Sequence, residues 1–131
     1  MGLDVQTILD AAAANGQGKI ILVEDNGNVV LPLHTTGTTT ATIKFYGSVS
    51  ETAPDFTAAQ SPSNSYEALE VVDLEDGAPI DGSAGIALSA AAATNRMFEL
   101  NTNHMRWITA VISGYSSGAI TVRAKVGDLS H

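Results

Sequence analysis

The chain has 131 residues with six Lys and Arg against fourteen Asp and Glu, a formal net charge of −8. That length fits one domain, against a norm of about 150 residues, and the acidity argues against nucleic-acid backbones and anionic membrane surfaces, which select for Lys and Arg clusters. With no Cys, disulfide frameworks, thiolate nucleophiles and Cys-ligated zinc are excluded. Ala supplies 19 residues, so the core must combine a few large side chains with many small ones.

No stretch approaches the roughly 20 apolar residues of a membrane helix. Met1 to Asp10 holds no basic run followed by an apolar segment, the pattern of a secretory signal. Met1-Gly2 departs from a myristoylation site because position six is Gln6 instead of Ser or Thr.

Leu3 to Ala14 reads two ways. Val5, Ile8, Leu9 and Ala12 fall at helical spacing, and Asn15-Gly16-Gln17-Gly18 would end the helix. Val5, Thr7 and Leu9 also alternate as in a strand. Residues 1–18 are therefore an N-terminal arm, helical or extended, or a first strand, and residues 19–131 are the main domain.

From Lys19 the pattern is β, with β-branched runs punctuated by Gly, Asn, Asp and Ser. Lys19 to Val23 and Val29 to Leu33 are predicted to form a hairpin about Asp25-Asn26-Gly27-Asn28. Pro32 lacks an N–H and so predicts an edge position for the returning strand. Thr38 to Ser50 alternates, with Ile43, Phe45 and Val49 on one face and Thr42, Lys44, Tyr46 and Ser48 on the other. Glu51 to Ser65, with Pro54 and Pro62, is predicted to be a long irregular loop. Tyr66 to Leu74 returns to strand with Leu69 and Val71 inward, and Asp73 to Gly85 is an acidic turn region.

Ile86 to Leu88 pairs briefly before the run Ala90 to Thr94, and Met97 to Asn101 places Phe98 and Leu100 on one face. A last hairpin is expected from Arg106 to Tyr115 and from Ala119 to Val126, joined across Ser116-Ser117-Gly118. Ile120, Val122, Ala124 and Val126 oppose Thr121, Arg123 and Lys125. Seven or eight short strands predict an all-β fold, a single antiparallel β-sandwich of jelly-roll type. In the strand containing Trp107, Ile108, Ala110 and Ile112 make one apolar face while Trp107, Val111 and Tyr115 make a second. The second face needs cover, either from Leu3 to Ala14 or from a neighbouring subunit.

Candidate chemistry is sparse. Asp73, Glu75, Asp76 and Asp81 offer oxygen ligands for calcium, but Gly77 falls at the fifth position from Asp73, not the sixth, and no Glu closes the loop, so a solvated turn is preferred. Glu24-Asp25-Asn26 reads as turn chemistry. His34, His104 and His131 have no metal or catalytic spacing. Gly82-Ser83-Ala84-Gly85 is too short for a nucleophile elbow. In Gly16-Gln17-Gly18-Lys19, Ile20 stands where a phosphate loop needs Ser or Thr. Trp107, Tyr46, Tyr66 and Tyr115 are the supply for a sugar-stacking platform, with burial the preferred role. No catalytic residue, cofactor or metal is predicted, so the chain is expected not to be an enzyme.

The opening Ile8 to Gly16, the Thr-rich Thr38 to Ser48, Met97-Phe98-Glu99-Leu100-Asn101 and the closing Trp107 to Val122 together resemble small β-sandwich structural proteins of tailed-bacteriophage virions, of head-decoration or capsid-cement type. The resemblance lies in overall pattern. It implies a virion protein on the capsid surface, made in the host cytoplasm, that stabilises the head shell against the major capsid protein as a homo-oligomer, with a trimer favoured. The alternatives are a tail, baseplate or fibre component, or a carbohydrate-binding sandwich. The interface residues expected on the decoration reading are Val5, Ile8, Leu9, Trp107, Val111 and Tyr115.

Overall fold

The computed structural model describes residues 4–24 and 27–126. Among them there is no helix, and ten strands form one antiparallel sheet. The strands are β1 (Asp4–Ala12), β2 (Gly16–Gln17), β3 (Ile21–Leu22), β4 (Asn28–Ser48), β5 (Glu67–Leu69), β6 (Val71–Asp73), β7 (Pro79–Ile80), β8 (Ile86–Ala91), β9 (Asn95–Asn101) and β10 (Trp107–Val126). The N-terminal segment is thus a strand, not a helix. The predicted turn residues Asp25 and Asn26 and the terminal His131 lie outside the described residues.

Two long strands, β4 and β10, form the spine. They pair along nearly their whole length, from Trp107↔Ser48 to Lys125↔Val30. The other edge of β10 carries β3, β2 and β1 in turn, and the other edge of β4 carries β9, β8 and β5. β6 adds to β9, and β7 to β6.

Odd-numbered residues of β4 point inward along its whole course, from Val29, Leu31 and Leu33 through Ala41, Ile43 and Phe45, and all of these are buried. On β10 the inward set is Ile108, Ala110, Ile112, Ile120, Val122 and Ala124. These residues belong to one hydrophobic cluster. Among the described residues no helix covers that face, and the inward residues from both halves of the sheet pack into the one cluster, which requires the sheet to curl.

Bulges produce the bend. Between Ser113 and Ser117, β10 runs ahead of β4 by two residues, and between Ser117 and Ala119, β4 recovers two, so the register before and after the bend is the same. Each strand therefore keeps its apolar residues inward on both sides of the bend. Gly37, Gly114 and Gly118 take positive φ there. The expected hairpin across Ser116-Ser117-Gly118 is instead the middle of a single bent strand. A Ser-Gly turn signal serves equally for a bulge.

Threonines complete these irregularities. Ala11 and Ala90 have positive φ at register shifts in β1 and β8. Their N–H groups donate to the hydroxyls of Thr121 and Thr40, at 3.0 and 2.9 Å. Likewise the Thr94 N–H donates to the Thr35 hydroxyl at 2.9 Å. At the two register shifts the hydroxyl replaces the ladder acceptor that a bulge removes.

Other expectations need correction. β3 pairs with β10, not with β4, so Lys19 to Leu33 is not a hairpin. Pro32 lies inside the sheet between β9 and β10. The β4–β10 ladder passes from Leu33↔Val122 to Val30↔Lys125 with no pair at Pro32, the gap expected of a residue without an N–H. Tyr66 to Leu74 is split into β5 and β6, which pair with different strands. Val49 is exposed, and Ser48 is buried under the following loop, its hydroxyl donating to the Ser65 carbonyl at 2.7 Å.

The loop from Glu51 to Ser65 is irregular, as expected. Phe56, which composition did not single out, is buried within it and packs with Tyr46 and Tyr66 at ring-centroid distances of 6.5 and 5.2 Å. The Asp55 carboxyl accepts bonds from the Thr57 hydroxyl and N–H, which hold its pKa below the usual carboxylate value. Those bonds persist at neutral pH and weaken only as pH falls through the lowered value.

Candidate interaction surface

The six residues expected at an interface do not form one patch. Ile8 and Leu9 are 4% and 5% exposed, in the core, because a bulge in β1 turns both inward where it crosses β10. Val5 is 53% exposed on the outer face of one half of the sheet. Trp107 and Val111 are half-buried on the outer face of the other half. Tyr115 packs against the core and donates its hydroxyl to the Gly118 carbonyl at 2.7 Å, because the bend changes which side it faces.

Trp107 is also committed locally. Its indole Nε1 donates to the Ser50 carbonyl at 3.0 Å, and the Arg106 guanidinium lies 5.8 Å from the ring. Arg106 in turn pairs with Glu24 at 2.6 Å. Next to Trp107 on this face, Thr109 is fully buried beneath the link between β2 and β3, and its hydroxyl lies 2.9 Å from the Lys19 carbonyl and 3.2 Å from that of Gly18. Thr109→Val keeps the shape and removes this bond. It is expected to cost about 1–2 kcal/mol and to lower the melting temperature by roughly 3–10 °C, read by thermal unfolding.

The acidic turn is organised by its own backbone. The Asp73 carboxylate pairs with Arg96, whose guanidinium also lies 3.4 Å from Glu75 and 5.9 Å from the Phe98 ring. Asp76 accepts the Ala78 N–H, and Asp81 accepts the Ser83 N–H and hydroxyl, bonds that lower the Asp81 pKa. Among the described residues no three His, Asp or Glu side chains converge as metal ligands. His34 bonds Asn95 through Nδ1, and His104 is exposed at positive φ.

An open cleft of about 460 Å³ is lined by Glu24, Gly27, Val49, Asn103, His104, Met105 and Arg106. Among the described residues lining it, Glu24 and Arg106 neutralise each other.

The broadest outward surface is the outer face of the half-sheet that runs from β1 through β10, β4 and β9 to β6. One row across it is Val5, Lys125, Val30, Glu99 and Val72, fixed by successive register pairs. The next row holds Thr7, Arg123, Pro32 and Met97, and ends at Leu74, whose N–H donates to the Met97 carbonyl. Met97 is 54% and Leu74 47% exposed. Among the described residues no segment covers Val5, Met97 or Leu74, which are all exposed.

No protein-family model matches the chain, and no curated protein matches it. Among solved structures, the fold is similar to that of the SPBc2 prophage-derived protein YomS, with a TM-score of 0.66 at 12% identity. The likeness spans 95% of this chain and 93% of that one, so the two share the fold over essentially their full lengths.

Proposed function

We propose that this chain is a non-enzymatic structural protein of a tailed-bacteriophage particle, one that decorates the capsid surface and stabilises the head shell against the major capsid protein as a small symmetric oligomer. The observation that carries the reading is the five-strand outer face described above, where Val30, Pro32, Met97 and Leu74 lie together and Val5 stands beyond Lys125 and Arg123. Contiguous apolar surface of this kind is a mark of protein contacts. The prophage origin of the structural neighbour supports a phage setting, and the all-β antiparallel architecture is consistent with the jelly-roll type of sandwich proposed for such proteins. Made in the host cytoplasm, the protein would add buried area between shell subunits, with strength set by contact quality more than by area.

A sugar-binding module is less well supported, because Trp107 is engaged with Ser50 and Arg106, Tyr115 packs against the core, and Tyr46 and Tyr66 pack on Phe56. The test is the copy number of this chain relative to the major capsid subunit in purified particles, by quantitative mass spectrometry. A ratio near one, or a simple large fraction of it, is expected. A handful of copies would move the protein to the tail or baseplate, and absence from particles would overturn the reading.

A further inference from the structure

The outer face is polarised. Arg123 and Lys125, both exposed on β10, stand near the β1 side of the sheet. Glu99 lies on β9, and Glu75 and Asp76 follow Leu74 just beyond β6. Charge therefore runs from positive on β10 to negative beyond β6, across three inter-strand spacings or roughly 14 Å, with apolar side chains along the way. In a protein of net charge −8, two cations side by side on one face are a local exception that calls for an acidic counterpart.

The acidic end is shaped to supply it. Leu74 is an exposed apolar side chain followed directly by Glu75 and Asp76, and the turn that carries them is held by the Arg96–Asp73 pair and by the Gly77 N–H, which donates to the Asp73 carbonyl at 2.7 Å. Opposite chemistry waits at the other end, where Val5 adjoins Lys125 and Arg123 adjoins Thr7. The two ends of one copy cannot meet, since both lie on the same half-sheet.

We propose that the chain self-associates head to tail: Leu74, Glu75 and Asp76 of one copy seat against Val5, Arg123 and Lys125 of the next, and the contact closes into a ring. The occupant of the face is a second copy of this chain. A contact between two different patches is heterologous, and it yields a closed ring when its rotation returns to the start. This deepens the oligomer part of the reading above. It is tested with isolated protein, so its failure is separable from the particle copy number.

The test is sedimentation velocity and native mass spectrometry on the full chain up to about 100 µM, a range that captures micromolar association. Wild type is expected to give one finite oligomer that dissociates as salt is raised. Lys125→Glu and Glu75→Lys, each at an exposed position, are expected to weaken association by at least about tenfold through like-charge contact. The double variant, Lys125→Glu with Glu75→Lys, restores opposite charges at every junction and is expected to recover the oligomer. Melting curves confirm that each variant folds. A monomeric wild type, an oligomer indifferent to Lys125→Glu, a double variant that fails to recover, or growth without limit would each overturn the ring.

Discussion

Deleting residues 1–12 is expected to unfold the domain instead of releasing a tethered arm. β1 is the partner of the last stretch of β10, from Asp4↔Val126 to Ala12↔Ile120. It delivers Ile8 and Leu9 to the core, where their burial stabilises by about 3–6 kcal/mol together. Its removal would also strip the ladder from the edge of β10 and expose Ile120, Val122 and Ala124, all fully buried in the intact chain.

The loss reaches the second half of the sheet as well. The Lys19 N–H donates to the Ile8 carbonyl at 2.9 Å, and Gly18 sits so close to β1 that a Cβ there would lie 2.9 Å from Ile8 Cγ2 and from Leu9 Cδ2. These terms together rival the whole stability of an ordinary domain, about 5–15 kcal/mol. Circular dichroism and amide NMR dispersion of the truncated chain provide the check. A truncated protein that still melts cooperatively within a few degrees of wild type would show β1 to be an accessory strand.

The contrast with the sequence reading is instructive at this segment. Helix and strand fitted Leu3 to Ala14 equally because Ile8 and Leu9 are adjacent and both apolar. In a regular strand one of them would face solvent, and only the bulge that turns both inward reconciles the pair with β structure. The alternations that were legible, Ile43 and Phe45 on β4, Phe98 and Leu100 on β9, and Ile120 to Val126 on β10, all lie in stretches where the strand itself has no extra residue; the register shifts beside Ile120 to Val126 put the extra residues on β1. What escaped was the length of the two central strands, since a turn signal such as Ser116-Ser117-Gly118 marks positive φ without saying whether the chain reverses or bends.

The candidate surface escaped for a related reason. Val5, Arg123, Lys125, Val30, Pro32, Met97 and Leu74 come from five separate segments, and none of those segments shows an outward apolar run by itself. Trp107, Val111 and Tyr115 drew notice because one segment contains them all. Yet the bend after Ser113 sends Tyr115 to the opposite side from the other two.

The bend itself yields the second large effect. Gly118→Ala is expected to destabilise by about 2–5 kcal/mol, the sum of roughly 1–2 for an L-residue at strained positive φ and roughly 1–3 for overpacking. Gly118 has φ +95°, and a Cβ there would stand 2.8 Å from the Cα of Thr39 on the neighbouring strand. Backbone cannot yield as a flexible side chain does, so β4 and β10 would have to separate at the curl. Gly37 and Gly114 supply the control, because both have positive φ but open space where a Cβ would go. Their alanine variants should show the conformational cost alone, about 1–2 kcal/mol each. Urea unfolding of the three variants measures the difference. If Gly118→Ala proves no worse than the other two, the close approach of β10 to Thr39 is not what holds the curl, and the compensating bulges carry it by themselves.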